Sequence, residues 1–120
     1  MKSKTLRIAE KYLKKIVEVI VDRPLGSTHP TFNKIIYPVN YGYIKDIVAP
    51  DGENLDAYLL KVNYPVKKYK GMVVAIIHRL TDDDDKLVVI PVGETITEEE
   101  IEKAVDFQEK WSRSKHIIIK

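Results

Sequence analysis

The stretch YPVNYGYIKDIVAPDGENLD, from Tyr37 to Asp56, gathers Asp51, Glu53 and Asp56 within six consecutive positions behind an aromatic-rich segment. Carboxylates held about 4 Å apart repel by roughly 4 kcal/mol per pair at the effective dielectric of a protein surface, so a fold that collects them needs protonation or a bound divalent ion. Oxygen-only donors flanked by Tyr, Lys and Arg suit Mg²⁺, with Mn²⁺ the alternative, holding a phosphate compound; they suit zinc less well. Taken alone, DGEN also reads as an acidic hairpin turn whose Asp and Gly serve conformation. A second acidic run, DDDDK, places Asp82, Asp83, Asp84 and Asp85 ahead of the cation Lys86. The bland reading there is a solvated turn, and its position between two strand-like segments argues against a tag remnant.

Other residue types narrow the chemistry. The chain has no cysteine, which excludes disulfides, thiolate zinc sites and a Cys nucleophile. His29, His78 and His116 are scattered without ligand spacing and read as structural or surface residues. No Ser, Cys and His arrangement suited to covalent catalysis is present. Tyr37 and Tyr41 could simply pack, a strand tyrosine ordinarily half-burying its ring with the hydroxyl at water. Asn40 and Gly42 are expected to serve backbone geometry.

These side chains need a scaffold, and 120 residues at 44% hydrophobic and 32% charged suffice for one globular domain with a modest core. Strands are predicted at 15–22, 34–37, 41–48, 56–62, 71–80 and 87–92, from β-branched residues and alternation bounded by polar turns. Pro65 and Lys67 to Lys70 read as a surface loop, and Gly93 closes the last long strand. One segment is plainly helical: Thr97 with Glu100 forms a capping box, Glu98 to Glu100 meet the positive end of the helix dipole, and Lys110 and Arg113 meet its negative end. Ile101, Ala104, Val105 and Trp111 recur at helical spacing and predict its buried face. Residues 1–14 form a basic lead-in, either a short helix or a loose tail; 15–112 form barrel plus helix; 113–120 form a terminal strand or tail. The predicted fold class is α+β, mainly β: a small OB-like β-barrel with one or two helices packed outside. Twenty basic against eighteen acidic residues give a net charge of +2, which requires no nucleic-acid partner. No apolar run is long enough for a signal peptide or membrane span, so a cytoplasmic protein is expected.

Together YPVNYGYI, DGENLD with Asp51 ten residues after Tyr41, and DDDDKLVVIP resemble the soluble inorganic pyrophosphatases, over roughly residues 19–111 and in the family's order. The similarity is to small, shortened and divergent members. It implies Mg²⁺-dependent hydrolysis of pyrophosphate to two phosphates on an OB-like barrel, in a homo-oligomer. Asp51, Glu53 and Asp56 match the family's D-x-D-x-x-D carboxylates, with Glu53 one methylene longer than the usual Asp. The resemblance makes Glu53 the candidate general base and Asp56 the shared metal ligand, both catalytic. Asp84 and Lys86 match a D-x-K pair of metal ligand and phosphate-binding cation, and Asp82 stands in for an earlier carboxylate. The implied metal set is thus Asp51, Glu53, Asp56, Asp82 and Asp84, with Tyr41, Lys86 and Tyr37 binding substrate.

The departures lie in the cations. Asp22 occupies the place of a family Glu, His29 that of an Arg, and Trp111 and Ser112 that of a Tyr-Lys pair; Arg23, Lys34, Arg79, Arg113 and Lys115 are the charges that could compensate. Losing charge-assisted contacts worth roughly 1.5 to 3 kcal/mol each would cost orders of magnitude in turnover or affinity. Two alternatives to a pyrophosphatase follow: a hydrolase of another phosphoanhydride (nucleotide or polyphosphate), or a non-catalytic metal- or phosphate-binding module on the same fold.

Overall fold

The computed structural model describes residues 4–32, 34–48, 52–79, 85–110 and 115–119. Along the chain these form α1 (Lys4–Glu10), β1 (Ile16–Arg23), β2 (Asn40–Val48), β3 (Asn54–Leu59), β4 (Lys68–Arg79), β5 (Lys86–Ile90), α2 (Glu98–Glu109) and β6 (Lys115–Ile119). The sheet runs β1-β2-β3-β5-β4-β6, and an added β1–β4 pairing closes the first five strands into a barrel, leaving β6 on the outer edge of β4. All neighbours are antiparallel except β3 and β5.

Alternation explains the wall. Val19 and Val21 of β1, Ile44 of β2, Leu55, Ala57 and Leu59 of β3, Val73 and Ile76 of β4, and Leu87 and Val89 of β5 share one buried cluster drawn from all five barrel strands, the barrel interior. The intervening residues Tyr41, Tyr58, Ala75, Ile77, Val88 and Ile90 form a second cluster outside the wall, against Ile101 and Val105 of α2. β5 is therefore buried on both faces, which is why KLVVI reads as an apolar run with no polar alternation. Gly42 lies where β2 crosses β1 most closely: a Cβ there would stand 1.8 Å from the Ile20 carbonyl oxygen, so no side chain fits.

The predicted strands are present at five of the six places, with two differences. Residues 34–37 are no strand: Thr28 and Ile36 make one isolated bridge, and loop bonds from Tyr37 N to the Ser27 carbonyl and from Gly26 N to the Tyr37 carbonyl hold the segment. Lys68 to Lys70, predicted as loop, begin β4, because pairing with β1 sets Lys70 opposite Glu18 and Tyr69 opposite Val19. The cross-strand charge pair and the half-buried Tyr69 outweigh the lysine-rich composition. The lead-in is a helix for 4–10, with Leu6 and Ala9 buried at i,i+3 spacing, and 115–119 pair with β4. Trp111 and Arg113 lie outside the described residues.

The capping box is present. Thr97 Oγ1 accepts from Glu100 N at 3.1 Å while Thr97 N donates to Glu100 Oε1 at 3.0 Å. Thr97→Ala is expected to cost about 1 kcal/mol in chemical denaturation. A hydrogen bond from Lys61, then the Thr97 backbone bond, hold the Glu100 carboxyl below its ordinary range. A carboxyl whose folded pKa is depressed stabilises above its unfolded value and loses that contribution as pH falls through the folded one. Wild type should therefore exceed Glu100→Gln in stability at neutral pH, and urea midpoints should converge as pH drops below the carboxylate range.

Candidate active site

The two strongest sequence candidates meet on the outer face of the barrel wall. In β3, Asp56 alternates with the interior residues Leu55 and Ala57 and therefore points outward; the parallel register that pairs Ala57 with Leu87 brings Lys86, the first residue of β5, beside it. Asp56 Oδ2 accepts from Lys86 Nζ at 3.0 Å and from the Tyr41 hydroxyl at 2.9 Å. The Lys86 side chain is only 3% exposed while that of Asp56 is 33% exposed, so the pair has one desolvated partner and one open to solvent. Lys86 Nζ also stands 5.7 Å from the Tyr41 ring centroid, within cation–π range.

β1 contributes the next pair through a register shift between Val21 and Arg23. Val17, Val19 and Val21 point inward, and strict alternation would send Arg23 after them. The shift leaves Asp22 as the extra residue and sets Arg23 opposite Tyr41, on the outer face. Arg23 NH1 donates to the Tyr37 hydroxyl at 2.8 Å, and its guanidinium carbon stands 5.8 Å from the Tyr37 ring and 5.7 Å from the Tyr41 ring. Burial raises the Asp22 carboxyl above its ordinary value; Arg23 opposes this and the Asp56 charge adds to it.

Beneath these groups lies a buried polar layer. Tyr37, fully buried, donates to Gln108 Oε1 at 2.9 Å, and Gln108 Nε2 donates to the Tyr58 hydroxyl at 2.7 Å. Tyr58 in turn donates to Glu109 Oε2 at 2.5 Å, and Arg79 grips both oxygens of Glu109, through Nε at 3.1 Å and NH2 at 2.8 Å. Burial first, then the Glu109 carboxylate, push Tyr58 well above the ordinary tyrosine range, so it remains a donor. Edge-on contacts of Phe107 with Tyr37 and Tyr58 complete the layer. Composition did not reveal this network, but spacing carries a signal: Glu109 continues the four-residue series Ile101, Val105 on the buried face of α2.

The remaining candidates divide clearly. Glu53 is on the exposed turn that enters β3. Asp51, Asp82 and Asp84 lie outside the described residues, and among the described ones no group of three His, Asp or Glu could hold a metal ion. Asp85, not assigned a ligand role, is 1% exposed and bonds His78 Nδ1 at 2.8 Å and Arg79 N at 3.0 Å, fixing the end of β4. His29 caps its own turn, its Nδ1 accepting from Thr31 N and Phe32 N, and stacks on Tyr37 with centroids 6.0 Å apart. Asn40 serves geometry as expected: buried, it accepts from Leu25 N and donates to the Val62 and Tyr64 carbonyls, tying two loops to the start of β2. Of the possible compensating cations, Arg79 is committed to Glu109 and Arg23 borders the site.

Asp56 has its second carboxylate oxygen without a hydrogen-bond partner among the described residues, and the charge of Asp56 reaches Asp22.

Residues 8–117 match the family model described as inorganic pyrophosphatase. Among curated proteins, the chain is similar to the inorganic pyrophosphatase of Halalkalibacterium halodurans, 25% identical over 96 residues, covering 64% of this chain and 59% of that protein. It is also similar to the inorganic pyrophosphatase of Bacillus sp. PS3, 28% identical over 100 residues, with 65% and 59% covered. The chain thus spans 59% of the length of these relatives. Among solved structures, the inorganic pyrophosphatase of Ehrlichia chaffeensis superposes with a TM-score of 0.68 at 17% identity, covering 89% of this chain and 87% of that one. The corresponding enzyme from Coxiella burnetii gives 0.59 at 18%, with 90% and 85% covered, and both likenesses show the barrel fold. With the family model spanning all five barrel strands and α2, the chain belongs to the inorganic pyrophosphatase family.

Proposed function

We propose that the outer-wall site hydrolyses inorganic pyrophosphate to two phosphates with Mg²⁺, Mn²⁺ being the alternative ion. The observation that carries this reading is the convergence of the Tyr41 hydroxyl and the Lys86 ammonium on Asp56 Oδ2, in a chain of this family. Asp56, through the oxygen that has no hydrogen-bond partner among the described residues, would hold the ion with Asp51, Glu53, Asp82 and Asp84. A divalent ion in such a set neutralises phosphate charge and acidifies water. Glu53, on its exposed turn, takes the proton of the attacking water. Lys86 and Tyr41 turn from Asp56 to the phosphate oxygens, donating to the charge that builds as the bridging P–O bond breaks. Desolvation of Lys86 makes that donation stronger than it would be in water. Tyr37 holds the substrate-side loop. We place this activity in a cytoplasmic homo-oligomer without nucleic-acid or membrane partners; among the described residues no helix is long and apolar enough to cross a membrane.

A substrate panel tests the reading. Pyrophosphate, ATP and tripolyphosphate are offered with Mg²⁺, and phosphate release is followed for each. Turnover of pyrophosphate at least tenfold above ATP is expected. Release from ATP or tripolyphosphate alone assigns the site to another phosphoanhydride, and release from none, with Mg²⁺ still raising the melting temperature, assigns a binding module.

A further inference from the structure

Resting on the reading of this wall as a phosphate site, we propose that Arg23 is a substrate-binding residue, its guanidinium fork gripping a terminal phosphoryl group of the anhydride. Three observations carry it. The register shift in β1 turns Arg23 out of the barrel interior, where alternation would have buried a charge, onto the face that holds Tyr41, Asp56 and Lys86. Arg23 and Lys86 then flank one ring, each 5.7 Å from the Tyr41 centroid, so two cations border the same surface. Finally, a guanidinium has five N–H donors, and the bond to Tyr37 is the one hydrogen bond the Arg23 side chain makes among the described residues. The remaining donors match the planar, bidentate geometry of a phosphate edge.

A purely structural role for Arg23 fits the contacts less well. Tyr37 does not need its donor: the hydroxyl already gives its proton to Gln108, and the ring is fixed by His29, Tyr41 and Phe107. Order runs the other way. A fully buried, doubly bonded Tyr37 pins one nitrogen of a half-buried arginine and so orients its fork before substrate arrives. Tyr37 is thereby a positioning residue, and pre-ordering a long side chain removes part of the entropy cost of binding.

The test is calorimetric binding of imidodiphosphate, a non-hydrolysable P–N–P analogue, with Mg²⁺, alongside steady-state kinetics on pyrophosphate and thermal melts. Arg23→Gln should weaken analogue binding and raise KM by about 10- to 100-fold, matching the loss of charge-assisted hydrogen bonds, with the melting temperature little changed. Arg23→Lys, which keeps the charge and loses the fork, should fall between. Tyr37→Phe, which removes the anchor along with the bond to Gln108, should raise KM by about 2- to 10-fold with kcat held. Wild-type-like analogue affinity in a folded Arg23→Gln overturns the proposal, even if pyrophosphate is hydrolysed. Wild-type protein that binds no analogue overturns it as well. Analogue binding that depends on Arg23 in a protein with no pyrophosphate turnover upholds it, while the hydrolase reading fails. Should Arg23→Gln not fold, Arg23→Lys decides: unchanged affinity there refutes the fork.

Discussion

Asp56→Asn is expected to lower kcat for phosphate release from pyrophosphate by roughly 10²- to 10³-fold while leaving a folded protein. Asparagine has nearly the same volume and keeps an oxygen to accept from Tyr41, so the Tyr41 contact at 2.9 Å can persist. The negative charge is what disappears. Lys86, with a side chain only 3% exposed, then lacks the carboxylate that holds its ammonium at 3.0 Å, and the proposed metal set would lose the charge of one of its members. Steady-state kinetics at saturating pyrophosphate, with near-ultraviolet circular dichroism as the fold control, check this. A folded variant with wild-type kcat would remove Asp56 from the chemistry.

Glu109→Ala should destabilise the protein by about 3 to 5 kcal/mol, the usual penalty for breaking a buried ion pair by removing one side of it. Glu109 has no exposure and takes three donors, two from Arg79 and one from Tyr58. Truncation takes two acceptors from the Arg79 guanidinium, whose side chain is 15% exposed, and leaves the Tyr58 hydroxyl with Gln108 alone among the described residues. Urea denaturation would show a lower midpoint with an unchanged slope. The double variant Arg79→Met with Glu109→Leu should recover part of the loss, because apolar replacement of both members removes the desolvation cost along with the pair while the Tyr58 hydroxyl still loses its acceptor. If the single variant loses less than 1 kcal/mol, the buried pair does not anchor α2 to the wall.

What could be read from the sequence follows physical lines. Barrel strands with one face inside announced themselves through period-two alternation, as in Val17, Val19 and Val21, and the capping box of Thr97 and Glu100 is local enough to be seen in four residues. Tyr41, Asp56 and Lys86 are legible as candidates because motif spacing names them, and the fold brings them together. Other features depend on partners distant in sequence. Lys68 to Lys70 looked like loop until β1 supplied Glu18 opposite Lys70. The segment around Ile36 had strand composition but lacks a strand neighbour, meeting only Thr28. Arg23 was visible as a cation, yet its outward direction comes from one extra residue in β1, and a register shift of one residue inverts every side chain beyond it. Glu109 is not legible from sequence, because a charged residue on an apolar helix face makes sense only beside Arg79, thirty residues earlier in the chain.

Phosphate release from pyrophosphate by the wild-type protein, titrated with Mg²⁺ and repeated with a chelator, tests the central claim most directly. Release that rises with Mg²⁺, saturates, and falls to background on chelation is the predicted result. No release above background across the Mg²⁺ titration and with Mn²⁺ substituted, from folded protein at high concentration, would contradict it.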